Sequence, residues 1–443
     1  MASMNTRTMT KQAKEVLKLN DMGGKTRPTA KLYPHQWLWD SAFIAIGLRH
    51  IDVQRAQEEI RTLLKGQWKN GMIPYIIFGT ATEYHAGPNF WQSEVSPNCP
   101  DDVKSTGGTQ PPMIAEAVVR IGQSLSKAER LAWYKEVYPA LAAYHEWLYR
   151  DRDPEGTGLV VLFHSWESGL DNNPPWMEMV HKYAFTPKLR LIDSSPALAK
   201  FLERFRKDTS IVPASERMST LELMAFYDLA KRMRALKYDD AELYKKSKLL
   251  IQDIGMNSIL VRATQHLGAI AKDIGEPLQP LTQKAYDRGV TVLDALWDED
   301  TGFYYSKDLR SGELIRFMNH AGFMPLYAGK LAKKRTARLL THLHDPASFG
   351  TAYPVPSTPL NSPYFKQHCY WQGPAWINTN WLILTGLRTN GQSQEAETIK
   401  QKTLEMISEG GMHEYFSPLD GSPAGAPNFS WTASLMLELL NEE

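Results

Sequence analysis

Helical periodicity returns again and again along this chain, and that repetition constrains the fold more than any other feature. Apolar residues recur at three- and four-residue spacing over 9–20, 41–48, 53–68, 109–124 and 127–150. The pattern resumes over 219–236, 240–250, 254–274 and 280–297, then over 327–343, 374–389, 393–408 and 430–441. About a dozen helices follow one another, with only short strand candidates such as Leu159–Phe163. No heptad seam and no fixed-length repeat accompanies them, which leaves a bundle, a solenoid or a closed helical toroid. Long loops rich in aromatic residues recur after alternate helices, and this suits a toroid of helical hairpins whose loops gather over a central pocket. The expected class is all-α, formed as one domain over residues 1–443 with residues 1–8 disordered.

Length alone would allow two or three domains in 443 residues, but no stretch has the composition of a linker. A formal net charge of +1 gives no pull toward nucleic acid or an anionic membrane surface. The start of the chain, Met1 to Lys18, is polar and basic, and no apolar run is long enough to span a bilayer. Cys99 and Cys369 do not make a disulfide framework and fit a reducing compartment, so the cytoplasm is the expected location. Whether copies of the chain self-associate stays open. The 13 Trp and 19 Tyr cluster in loop-like stretches, where aromatics commonly line pockets for amphipathic ligands such as carbohydrates.

The loop Trp166-Glu167-Ser168-Gly169-Leu170-Asp171-Asn172-Asn173-Pro174 carries two carboxylates beside Trp166 and Trp176. An indole stacks on the apolar face of a pyranose and shields a neighbouring acid from water, which raises its pKa toward a value useful for protonating a leaving group. Taken by itself, the loop reads equally as a solvated acidic turn whose tryptophans plug the core. Near the C-terminus, Glu414 sits among glycines and aromatics in Gly410–Pro418, followed by Asn428-Phe429-Ser430-Trp431. Glycosidic bonds are cleaved by a pair of carboxyls, one protonated and one ionised, so two acids on loops at the same end of a toroid could meet across a pocket. Tyr370-Trp371-Gln372-Gly373-Pro374-Ala375-Trp376 supplies further stacking surface, although Trp376 also suits a core position at the start of a helix.

These stretches, together with Tyr33–Phe43, Gln67–Ile77 and Thr109–Pro112, span nearly the whole chain and resemble glycoside hydrolase family 63. The similarity is strongest to its bacterial-type glucosylglycerate and mannosylglycerate hydrolases. The resemblance implies an (α/α)6 barrel and inversion at the anomeric carbon. It implies Asp171 as the general acid and Glu414 as the base that activates water. Asp40 matches a sugar-hydroxyl ligand, and Trp37, Trp39, Gln110, Trp166, Glu167 and Trp371 follow more loosely. Tyr33, Tyr370, Gln372, Trp376 and Trp431 complete the expected substrate-binding set. A glycerate carboxylate would call for a cation, and Arg217 is the candidate, although no tyrosine follows it closely. Phe429 stands where a polar side chain is expected.

Two other classes keep these features in part. A sugar epimerase or isomerase would rely on paired histidines, for which His164, His320 and His413 are the candidates. A carbohydrate-binding protein without turnover would keep the aromatics but would not need both acids. The 12 His form no His-Glu-x-x-His run, and Asp298-x-Asp300-x-Gly302 stops short of a calcium loop, so neither a metal nor a cofactor is expected. Gly24-Lys25-Thr26 lacks the upstream glycine of a phosphate loop. The expected partner is a small sugar.

Overall fold

A computed structural model describes residues 6–81, 86–193, 206 and 208–442. Two kinds of helix appear, and their composition explains where each one goes. Leu38–Leu48 is apolar on every side and wholly buried, as a helix without a polar face must be. Ile114–Gln123, Ile254–Ile274, Pro325–Ala328, Ile377–Thr389 and Ser430–Asn441 are buried along most of their length. Each of these six packs on the next, and the last returns to Leu38–Leu48, closing a ring. The amphipathic helices form the outer layer. Thr6–Asn20 lies on Ser430–Asn441, Val53–Leu64 on Leu38–Leu48, and Ser393–Gly410 on Ile377–Thr389. Lys127–Asp151 and Pro280–Arg288 cover Ile254–Ile274, and Lys333–His344 packs on the short strand Phe303–Tyr304. The architecture is an (α/α)6 barrel.

Strands are two to five residues long and clamp the loops rather than build a layer. Gln36–Trp37 pairs antiparallel with Ile76–Ile77, which sets the entry to the first inner helix. His413–Phe416 pairs with Pro423–Pro427 through an irregular register.

Several expected boundaries move. Leu159–Phe163 makes one bridge, from Leu162 to Ile251, and is not a strand. The segment 280–297 breaks at Gly289, where φ is +53°, and continues as a 3-10 helix. Pro111 and Pro112 precede their helix, which starts at Ile114. Pro174–Tyr183, which opens on the last residue of the expected loop, and Pro187–Asp193 are helices in a stretch to which sequence reading assigns no element. Thr6, Arg7 and Thr8, expected to be disordered, belong to the first helix, while residues 1–5 lie outside the described residues. Among the described residues no helix is long and apolar enough to cross a membrane.

Candidate active site

The loops that lead into the first, second, fifth and sixth inner helices meet the acidic loop that follows Lys127–Asp151 around one cavity. Tyr33, Trp37, Trp39 and Asp40 reach it from the first inner helix and its approach, and Gln110 from the second. Tyr370, Trp371, Glu414 and Trp431 come from the last two, and Trp166 and Asp171 from the acidic loop.

The acidic loop is held by its own side chains. His164 Nδ1 accepts from Trp166 N at 3.0 Å, Ser168 Oγ accepts from Leu170 N at 3.0 Å, and Asn173 caps the helix that follows. Gly169 has φ +72°, and a Cβ there would lie 2.6 Å from the Trp39 ring, so only glycine lets the loop lie against that indole. Asn172 Oδ1 accepts from Trp371 N at 2.9 Å and joins this loop to the aromatic wall. Along that wall, Trp371 stacks on Trp376 with ring centroids 3.6 Å apart and lies parallel to His320 at 5.7 Å. Tyr370 adopts φ +46°, an uncommon conformation for a bulky residue, and its carbonyl is tied to Trp376 Nε1 at 3.1 Å.

Glu414 is aimed by a β-bulge. Between the pairs His413–Pro427 and Tyr415–Ala424 one residue faces two. That irregularity turns the Glu414 side chain into the cavity. Gly425 has φ +71°, and a Cβ there would lie 2.8 Å from Glu414 Oε2.

The two acids stand in different surroundings. Glu414 Oε1 accepts from Tyr33 Oη at 2.9 Å and its Oε2 accepts from Ala426 N at 3.1 Å. Arg217 Nη1 lies 3.8 Å from the same carboxylate. Burial raises the Glu414 pKa, while Arg217, the Ala426 amide and Tyr33 work against that rise. Asp171 accepts from Tyr370 Oη at 3.2 Å. Burial pushes its pKa up to about 7, with the Glu414 charge adding to the rise and Arg217 and Tyr370 opposing it. Asp40 is raised well above the usual range by burial, then by the Glu414 and Asp171 charges. Gln110 Oε1, Trp371 Nε1 and Trp431 Nε1 are buried without a hydrogen-bond partner among the described residues.

Four expected substrate-binding residues are not on the cavity wall. Glu167 is a structural acid: it takes Arg152 Nη2 at 2.7 Å, Arg152 Nη1 at 3.2 Å and Phe163 N at 2.9 Å. Its partner Arg152 ends the preceding long helix, a pairing that the loop's own sequence does not reveal. Gln372 is buried with its side chain near Cys369, and Trp376 lies behind Trp371. Arg217 sits behind the wall, over the Tyr370 ring at 4.2 Å and bonded to Tyr33 Oη at 3.0 Å. Conversely, Pro28, Tyr75, Ala86, Gly169 and Phe429 line the cavity without being singled out as ligands. Tyr75 and Phe429 are aromatics in loops, the signal that found the others. Pro28 and Ala86 carry none.

His164, His320 and His413 do not line the cavity. Burial pushes the first two down to about 4 and lowers the third, so they are neutral at pH 7. Among the described residues no group of three or more His, Cys, Asp or Glu side chains could hold a metal ion.

A helical barrel whose cavity is walled by indoles and carries buried acids is the site of a sugar-cleaving enzyme. Residues 33–432 match the mannosylglycerate hydrolase MGH1-like glycoside hydrolase domain, and the chain belongs to that family, within glycoside hydrolase family 63. It is 36% identical to a mannosylglycerate hydrolase of Selaginella moellendorffii over 98% of this chain and 86% of that one. Its identity to the glucosylglycerate hydrolase of Mycolicibacterium hassiacum is 33%, covering 97% of each chain. The crystal structure of mannosylglycerate hydrolase from Thermus thermophilus with Tris and D-glycerate superposes with a TM-score of 0.88 at 35% identity, covering 97% of this chain and 99% of that chain.

Proposed function

We propose that the protein is an inverting α-glycosidase that hydrolyses a small α-mannoside or α-glucoside of glycerate to hexose and glycerate. Asp171 is the general acid and Glu414 the general base. The observation that carries this reading is the unequal set of partners around the two acids. A carboxyl near pKa 7 holds a proton to give to the leaving oxygen at neutral pH. Glu414, with a donor on each oxygen and Arg217 beside it, has partners that favour its ionised form against the upward pull of burial, and it is the acid placed to take a proton from water. Two phenol oxygens stand between the carboxyls. This supports the wider spacing of inverting pairs, roughly 6.5–9.5 Å against about 5–5.5 Å for retaining ones. Asp40, Gln110 Oε1, Trp371 Nε1 and Trp431 Nε1 are polar groups placed to meet sugar hydroxyls, and the indoles stack on the ring. One hydrophobic core running from Met9 to Leu439 supports a single catalytic domain.

A second reading, a neutral aglycone such as glycerol, is favoured by one observation. Among the described residues the cavity wall carries no Lys or Arg, and Arg217 is already engaged with Tyr33 and Glu414. Proton NMR of hydrolysis, run on mannosyl and glucosyl derivatives of glycerate and glycerol, tests both points. The β anomer should appear first, and the glycerate compounds should be preferred. An α anomer appearing first would refute the mechanism, and a preference for glycerol would establish the second reading.

A further inference from the structure

Hydrogen bonds join the two acids through a pair of tyrosines. Tyr33 Oη lies 2.9 Å from Glu414 Oε1 and 3.4 Å from Tyr370 Oη, and Tyr370 Oη lies 3.2 Å from Asp171 Oδ2. The middle link is long, as catalytic hydrogen bonds often are before substrate tightens them. Both tyrosines also line the cavity.

An inverting cycle ends with the protons on the wrong acids. Asp171 has given its proton to the leaving group, and Glu414 has taken one from water. One proton must cross from base to acid before the next turnover. We propose that Tyr33 and Tyr370 form a relay that carries this proton from Glu414 to Asp171 inside the site, while products still occupy it. The inference rests on the acid and base roles assigned above.

The transfer balances without a further reactant. The Glu414 O–H bond breaks as Tyr33 Oη accepts the proton. Tyr33 releases its own proton to Tyr370 Oη, and Tyr370 releases its own to Asp171 Oδ2. Every O–H bond broken is matched by one formed, and neither phenol keeps a charge. Arg217 Nη1 donates to Tyr33 Oη at 3.0 Å and its guanidinium lies over the Tyr370 ring at 4.2 Å. It is therefore placed to stabilise negative charge that develops on either phenol during the transfer. The direction follows from the surroundings of the two ends. Glu414 regains an ionised form that Tyr33, the Ala426 amide and Arg217 all stabilise, while Asp171 regains the proton that its burial favours.

Solvent is the competing route, because an emptied cavity lets water and buffer exchange protons with Asp171. Tyr33→Phe and Tyr370→Phe separate the two. Cleavage should be followed in single turnover and in steady state, with imidazole buffer varied at constant pH and ionic strength. With a relay, each variant loses steady-state turnover about tenfold more than single-turnover cleavage. Imidazole should restore the excess loss, and the double variant should be no slower than the slower single one, since the links act in series. Equal losses in the two regimes with no response to imidazole would overturn the relay and leave the tyrosines as positioning groups. Failure of the acid and base roles would show separately, as an α anomer formed first or as parental single-turnover cleavage by Asp171→Asn.

Discussion

At the end of the barrel away from the cavity, Glu438 in the last turn of Ser430–Asn441 is held by Arg49 at 2.9 Å, His50 at 2.6 Å and Arg120 at 2.6 Å. Glu116, in the first turn of Ile114–Gln123 and linked to Glu438 through Arg120, takes Arg120 at 2.8 Å, Arg262 at 2.9 Å, His266 at 2.6 Å and Tyr327 Oη at 2.9 Å. Burial alone would raise both carboxyls, yet these partners hold them below the usual range. At the cavity end, Asp171 is half-buried on the wall, accepts from the Tyr370 hydroxyl and its own backbone amide, and has no arginine bonded to it among the described residues; its pKa rises. Arg49 is the C-cap residue of Leu38–Leu48 and Arg120 lies in the last turn of Ile114–Gln123, where a cation is also favoured by the helix dipole. The difference teaches that burial does not make an acid reactive. A buried carboxylate with its charge matched is a fastener, and one left short of partners is available for chemistry.

Exchanging the carboxyls for amides probes this contrast most severely. Asp171→Asn and Glu414→Gln should each lower kcat by about 100- to 10,000-fold with thermal stability unchanged or slightly higher, measured by steady-state kinetics beside calorimetry. Glu438→Gln should do the reverse. It leaves Arg49 and Arg120 facing a neutral group, which should cost about 3–5 kcal/mol of stability, while kcat in the folded enzyme stays near the parental value. If Glu438→Gln abolished turnover without unfolding, the two ends would not be independent.

Gly425→Ala should give an intermediate effect. The added methyl would press on Glu414, and a displacement of that order costs about 100-fold in kcat, with KM much less affected. The smallest effect is on pH dependence. Asp171 must be protonated to act, so kcat/KM should fall as pH rises through about 7. The acidic limb should follow protonation of Glu414, which must be ionised. Glu116 and Glu438, held low, should leave no mark on that profile. An alkaline limb unchanged by Tyr370→Phe, which removes the hydrogen bond to Asp171, would mean that another group sets it.

Much of this molecule was legible in advance, for identifiable reasons. Inner and outer helices differ in how completely apolar they are, so the toroid shows in the periodicity, and Leu38–Leu48 and Ser430–Asn441 stand nearly where expected. That Asp171 and Glu414 line one cavity was legible because an acid beside an aromatic in a loop is an unusual local pairing, whereas Asp40, inside Leu38–Leu48, was reached through the family resemblance. What could not be read depended on distant partners. Glu167 looks like Asp171 until Arg152 is seen to neutralise it. Trp376 reads either as stacking surface or as a core residue at a helix start, and its place behind Trp371 decides for the second. The helix Pro174–Tyr183 was hidden because Asn-Asn-Pro-Pro reads as a turn, although an Asn cap followed by Pro also opens a helix. The positive φ of Tyr370 is imposed by tertiary contacts and has no signature in the chain.

The stack of Trp371 on Trp376 carries an optical consequence. Two indoles in parallel, 3.6 Å apart, couple their electronic transitions, so this part of the cavity wall is also a chromophore distinct from the other tryptophans. A ligand seated in the cavity that Trp371 lines alters the polarisability beside that pair, and near-ultraviolet circular dichroism then reports occupancy of the cavity with no label attached.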